Sequence, residues 1–423
     1  MPLRVVLSCW GSYGDLFPSI GLALALKARG HAPVIASSAY YQDIVGDAGI
    51  GFHAVRPDVD PNDRALMARV MDPRRGSEVI VKELLAPHVR ESFEDLWAAT
   101  EGADVLVTHP IGFAGPLVGA RRGMRWLSTV LAPTSLFSVH DFPRLPPFPG
   151  LTAALTARPW SARLFFRLAR AVTASWTRPV VRYRAELGLP DTGDPLYEGQ
   201  CSPHGTLALF SRVLASPQPD WPPRTTVTGF PFFNRAEAPS DALQAFLDAG
   251  DPPVVFTLGS SAVGAPGAFY DESVAAAEAL GCRALLMARS EIGSGVTRPL
   301  PKTMLAVDYA PHEVIFPRAR AVVHHGGVGT LGQALRAGRP MLVVPHAHDQ
   351  YDNAERARRA GVARVVAAPR YRAATVASHL RALTSDATYA RRATEVAAIV
   401  AAEPGAEAAC DVIEGGDPAV GQR

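Results

Sequence analysis

Apolar residues in this chain fall into short continuous blocks separated by segments of a different rhythm. The blocks "RVVLS" (Arg4 to Ser8), "APVIAS", "ADVLVTH" and "MRWLSTVLAP" come first; "PPVVFTLGSS", "RALLMA", "TMLAVDYA", "RAVVHH", "MLVVP" and "ARVVAA" follow. Unbroken β-branched runs of this kind read as strands buried on both faces. Between them lie stretches with helical spacing, such as "LFPSIGLALALKARG", closed by Gly30, and "YDESVAAAEALG". From Thr330 to Ala337, Leu331, Ala334 and Leu335 recur at helical spacing before Gly338 and Pro340 stop the helix. The strand–loop–helix alternation predicts parallel, doubly wound sheets, and it occurs twice. The expected fold is α/β, with two Rossmann-like domains facing across a cleft between the carboxyl ends of their sheets. "ASPQPDWPPRTTVTGFPFFNRAEAPS", dense in Pro and polar residues, reads as the joint. The domains expected are 1–215, a linker at 216–240, and 241–423, with the last helix able to return to the first domain.

A length of 423 residues agrees with two domains, and 48% apolar with 19% charged residues describes a globular chain. A net charge of +2 does not call for nucleic acid. Cys9, Cys201, Cys282 and Cys410 are far apart with no CxxC, which disfavours zinc and a disulfide framework. "MPLRVVLSCW" runs from a strand straight into a glycine loop, leaving no room for a signal peptide. The uncharged stretch from Pro252 to Tyr270 is interrupted by Gly, Pro and Ser, so it reads as strand plus loop and not as a membrane span. A cytoplasmic location is expected. One segment departs from the pattern. Phe142 to Ala185 holds no acidic residue but has Arg144, Arg158, Arg163, Arg167, Arg170, Arg178, Arg182 and Arg184, interleaved with Leu, Phe and Trp. A basic amphipathic helix there can touch an anionic membrane, flank an apolar pocket, or simply pack on its own domain.

The candidate chemistry sits where strands end. "GSYGD" has Gly11 and Gly14 but no third glycine, and "VIASS" lacks the acid that would hold a ribose, so a dinucleotide oxidoreductase is poorly supported. No Walker lysine follows any glycine run. Asp15 remains, with two roles open: a helix cap, or a carboxylate taking a proton from an acceptor hydroxyl. "TLGSS", with Ser260, and "HHGGVGT" are strand-end turns whose amides and hydroxyls suit phosphate oxygens. In the second, glycines such as Gly327 let backbone approach a ligand, His325 and Thr330 can donate, and His324 within the strand reads as a structural partner. Asp349 and Gln350 in "HDQYDN" can bond vicinal sugar hydroxyls, while Asp352 or Asn353 can cap the helix that follows. "DVD" at 58–60 lies in a Pro-rich loop and is rejected as a metal site.

These residues carry a resemblance. "HHGGVGT" followed by "GRPMLVVPHAHDQYDN" resembles the donor-binding signature of the inverting UDP-glycosyltransferase superfamily with the GT-B fold. "GSYGDLFP" is similar to the N-terminal motif of its bacterial and sterol-glucosyltransferase branches. "QPDWPPRTTVTGFPFF", "PPVVFTLGSSAV" and "HAHDQYDNAERARRAG" resemble segments of the bacterial rhamnosyltransferases that build rhamnolipids. The resemblance implies Asp15 as catalytic base. It implies His325, Thr330, Ser260 and Gly327 as diphosphate ligands, Asp349 and Gln350 on the sugar, and Tyr309 stacked on the base with His312 beside it. Gln333 stands where the family has a ribose-binding glutamate. His109 stands where plant members have the aspartate that orients a histidine, so an Asp15–His109 pair would have the types reversed. The implied reaction is metal-independent and inverting, from dTDP-rhamnose or UDP-glucose to a hydrophobic or lipid acceptor, with no cofactor. "FPRLPPFPGL" and "WSARLFFRLARAV", including Phe142 and Phe165, would supply apolar walls. A sugar-nucleotide epimerase and a non-catalytic partner subunit share the fold; Asp15 in an acceptor-facing loop weighs against the first, and the intact Asp15, His325, Asp349 and Gln350 against the second.

Overall fold

Two compact units make up the chain: Met1–Pro61, Arg74–Phe233 and Glu403–Arg423 form unit 1, and Asn62–Pro73 with Asn234–Ala402 form unit 2. The computed structural model describes residues 1–60, 63–145, 154, 158–235, 237–259, 266–288 and 296–415.

Unit 1 is built on a parallel sheet of β1 (Arg4–Ser8), β2 (Ala32–Ser37), β3 (Gly51–Ala54), β4 (Val105–Thr108), β5 (Arg125–Val130), β6 (Thr206–Ala208) and β7 (Thr225–Val227), in the order β3-β2-β1-β4-β5-β6-β7. Val5, Val6, Leu7 and Val105 to Val107 are buried, as strands covered on both faces must be. The Tyr13–Ala28 helix covers one face through Leu16, Ile20, Leu22, Ala23 and Leu26. The chain returns to unit 1 at Glu403, and the Ala406–Ile413 helix packs on Tyr13–Ala28. Arg29 fastens it, bonding Glu407 at 2.6 Å, Asp411 at 2.7 Å and Glu414 at 3.1 Å.

Unit 2 repeats the plan with β8 (Val254–Thr257), β9 (Ala284–Met287), β10 (Met304–Val307), β11 (Ala321–His324), β12 (Met341–Val343) and β13 (Ala363–Val365), all parallel, in the order β10-β9-β8-β11-β12-β13. Phe256, Tyr270, Leu286, Val323, Leu342 and Leu380 are central to its core.

Two boundaries differ from the sequence expectation. The Pro-rich stretch read as a linker contains β7, which extends the first sheet by pairing Thr225–Val227 with Thr206–Ala208. Prolines beside a strand at the sheet edge cost no ladder hydrogen bond, so their density concealed it. Asn62–Pro73, inside the expected first domain, groups with unit 2, where Met71 packs on the core. Asp58 of "DVD" is a structural acceptor, taking hydrogen bonds from Ser38 Oγ at 2.8 Å and Ala39 N at 2.7 Å. Among the described residues no helix is long and apolar enough to cross a membrane.

In each sheet the strand order reverses once, between β1 and β4 and between β8 and β11, and a crevice opens at the carboxyl ends at such a point. Register aligns Leu7 with Val107, and Thr257 with His324. The loops leaving those strands therefore start side by side.

Candidate functional site

At the reversal in unit 1 the loop after β1 carries Asp15 and the end of β4 carries His109. Ser12 is the N-cap of Tyr13–Ala28, and Asp15 closes a capping box: its Oδ2 accepts from Ser12 N at 2.8 Å while Ser12 Oγ accepts from Gly14 N at 3.2 Å. The other oxygen, Oδ1, lies 3.3 Å from His109 Nε2. A carboxylate only accepts, so in this contact Nε2 donates. His109 Nδ1 is buried with no hydrogen-bond partner. One carboxylate oxygen of Asp15 thus caps the helix and the other faces His109, and the side chain is 30% exposed. Gly11, at φ +131°, gives it room: a Cβ there would lie 2.3 Å from Asp15 Oδ2. Farther along unit 1, Phe142 is buried in a cluster with Ala162, Phe166 and Tyr197, and half-buried Phe165 packs on it.

At the reversal in unit 2 the same topological place is occupied by histidines and glycines. His324, the last residue of β11, is fully buried, and its Nδ1 accepts from Gly326 N at 3.1 Å, which shapes the glycine turn. Burial, and then nearby His312, lower its pKa to about 3, so it is neutral. His325 is 4% exposed, and its Nδ1 is buried without a partner. Burial drives its pKa well below the usual histidine value, with His324, His346 and His312 adding to the effect. Its ring is held between two glycines, since a Cβ on Gly259 or on Gly327 would approach ring atoms to 2.3 Å. Gly327 is also the N-cap of the Val328–Arg336 helix and supplies no side-chain cap. An uncapped helix start with partly exposed backbone presents N–H groups and a positive dipole end to an anion. Thr330 lies in its first turn and half-buried Gln333 one turn on. Ser260 lies outside the described residues.

Asp349 is the N-cap residue of the Gln350–Arg359 helix but makes no capping bond with its side chain. Asn353 holds it instead, donating through Nδ2 to Asp349 Oδ2 at 2.7 Å and to the Gly326 carbonyl at 3.0 Å. One amide thus ties the glycine turn to the half-buried carboxylate. Gln350 is 3% exposed, with Oε1 accepting from His346 N at 2.9 Å and Ala347 N at 3.1 Å. Its carbonyl shapes the turn, leaving the amide nitrogen for other bonds. Tyr309 is 43% exposed, with the Arg235 guanidinium 5.6 Å from the ring centroid. His312 stacks on Phe316 at 4.4 Å, and burial lowers its pKa to about 4. The turn His312–Ile315 and the Gln350–Arg359 helix both pack against Val328–Arg336, which groups His312, Gln333 and Asp349 on adjoining elements. The sequence offers Asp352 or Asn353 as a helix cap; the structure uses Asn353 to hold Asp349, and an Asp followed by an Asn one helical turn later is the local signal for that pairing. Among the described residues no group of three or more His, Cys, Asp or Glu could hold a metal ion.

The chain is similar to several known proteins. The family described as "Erythromycin biosynthesis protein CIII-like, C-terminal domain" matches residues 285–414. The O-mycaminosyltylonolide 6-deoxyallosyltransferase of Streptomyces fradiae is 34% identical over 97% of both chains. A sterol 3-beta-glucosyltransferase of Leptosphaeria maculans is 29% identical over 85% of this chain, which spans 25% of that longer protein. In fold, the spinosyn rhamnosyltransferase SpnG complexed with thymidine diphosphate superimposes with a TM-score of 0.67 at 19% identity, covering 98% of this chain and 100% of that one.

Proposed function

The chain belongs to the GT-B UDP-glycosyltransferase superfamily and is a hexosyltransferase, and on that premise we propose that it moves a deoxyhexose from a dTDP donor to a hydroxyl of a hydrophobic natural product, inverting the anomeric centre without a metal. Unit 2 binds the donor and Asp15 of unit 1 is the base. The observation that carries the donor half is the uncapped start of Val328–Arg336 beside the buried, neutral His325. The reaction transfers negative charge to the departing diphosphate. Helix N–H groups, the Thr330 hydroxyl and one imidazole N–H are donors already in place for that charge, and they need not reorganise as it develops. Because His325 is neutral, its contribution is a hydrogen bond and not an ion pair. Gln333 bonds the ribose, Tyr309 stacks on the base, and Asp349 with the Gln350 amide holds the sugar hydroxyls.

In the displacement the acceptor oxygen forms a bond to the anomeric carbon as the carbon–phosphate-oxygen bond breaks on the opposite side. The acceptor proton passes to Asp15. His109 Nε2 donates to Oδ1 and orients the carboxylate, a reversal of the plant His–Asp order. Deoxysugar transfer is favoured by the similarity to a 6-deoxyallosyltransferase and to a fold neighbour complexed with thymidine diphosphate. The sterol relatives keep UDP-glucose and a lipid acceptor as the second reading.

Calorimetric titration of dTDP and UDP in EDTA tests the proposal. Micromolar dTDP binding that exceeds UDP binding by about tenfold or more is expected. A UDP preference would replace the donor, and binding or transfer that needs magnesium would overturn the metal-free reading.

A further inference from the structure

The Pro159–Thr173 helix has two apolar faces. Ala162, Phe166 and Thr173 turn inward and pack on unit 1. On the other side, Trp160, Leu164, Leu168 and Val172 stand on successive turns and are 60, 50, 61 and 66% exposed. Single exposed apolar residues are ordinary on a protein surface. A ladder at i, i+4 spacing running roughly 18 Å along one helix marks an interaction surface.

Charge indicates what covers it. Arg163 and Arg167 are exposed along one flank of the ladder and form no ion pair among the described residues. In the next helix, Arg178–Glu186, exposed Arg178 and Arg182 border Val181, which is 49% exposed. No carboxylate occurs between Phe142 and Ala185, and Glu186, which ends the second helix, pairs with Arg90. Arg170 pairs with Glu198, and Arg184 donates to the Pro190 carbonyl at 2.6 Å.

We propose that this face docks on an anionic lipid surface. The ladder enters the boundary between headgroups and acyl chains, and the arginines bond lipid phosphates while their methylene stems lie along the apolar stripe. Trp160 at one end of the ladder suits the interfacial depth at which indoles concentrate. The described helices are too short and polar to span, so the contact is peripheral. A second copy of the same face fits poorly, because arginines would meet arginines with no acidic residue of this segment between them. The inference goes beyond the transfer reaction and does not rest on it.

Co-sedimentation of the full chain with vesicles tests it, comparing phosphatidylcholine alone with an equal mixture of phosphatidylcholine and phosphatidylglycerol. Binding to the anionic vesicles at least about tenfold stronger, and weakening with salt, is expected. Leu164→Glu with Leu168→Glu should abolish it, and Arg163→Ala with Arg167→Ala should reduce it about tenfold. Circular dichroism and melting temperature report that both variants fold. Failure to bind anionic vesicles, equal binding to both vesicle types, or binding that neither variant changes would overturn the proposal. A dimer seen by light scattering and dissolved by the Leu→Glu pair would assign the face to a second copy. Binding of polyglutamate without binding of vesicles would assign it to an acidic protein. Either result also overturns the lipid proposal.

Discussion

The two sheets place a histidine at the same topological position, just beyond the fourth strand at the point of reversal, and use it in opposite ways. In unit 1, His109 meets a carboxylate from the loop after the first strand. In unit 2, His325 meets Gly259 from the corresponding loop and Gly327 from its own. One reversal point therefore joins a carboxylate to an imidazole; the other withdraws side chains and leaves the backbone of a helix start partly exposed. The scaffold brings two loops together, and the residue facing the histidine decides the chemistry.

The largest expected effect comes from removing the carboxylate. Asp15→Asn retains an oxygen for the Ser12 amide, so the helix stays capped, but transfer should fall by about a hundredfold or more while dTDP affinity stays within about twofold. Stopped-time product analysis with calorimetry checks both; near-normal turnover would refute the base. Gly327→Ala acts on the other half. Its methyl meets the His325 ring, so dTDP binding should weaken about thirtyfold, or about 2 kcal/mol, and unchanged affinity would show that the ring position is irrelevant to the donor. Asn353→Ala releases Asp349 and the Gly326 carbonyl, and a loss of about tenfold in kcat with little change in dTDP affinity is expected. A loss of nucleotide affinity instead would place Asn353 with the diphosphate.

The smallest effect is on stability and separates the units by pH. His324, at about 3, and His312, at about 4, lie below the ordinary histidine value near 6.5. As pH falls, the unfolded chain takes up these protons first. Stability is therefore full above about 6.5 and declines below it, by about 1.4 kcal/mol per pH unit for a fully buried histidine until the folded value is reached. Scanning calorimetry between about pH 7.5 and pH 5 should show the unit 2 transition moving down. A transition that stays put or rises would contradict neutral burial of these rings.

Much of this was legible along the chain because it depends on local pattern. Buried parallel strands need unbroken apolar runs, so four strands of the first sheet and all six of the second could be read, and strand-end loops carrying Asp15, His325 and Asp349 stood out against that regularity. β3 is partly exposed and β6 only three residues long, so neither carries such a run. Asn353 looked like a helix cap because its second partner, the Gly326 carbonyl, is 27 residues away. β7 was hidden by neighbouring prolines, and the transfer of Asn62–Pro73 to unit 2 depends on packing that no local pattern records.

By itself the sequence determined the fold class, the doubled architecture and the residue types available at each strand end, since periodicity and glycine placement are properties of neighbouring residues. The tertiary structure alone decided that Asp15 divides its oxygens between a helix cap and His109, that two glycines distant in sequence hold one imidazole, and that burial keeps that imidazole neutral. Those outcomes depend on distances and desolvation set by chain segments far apart in sequence, and such quantities exist only once the chain has folded.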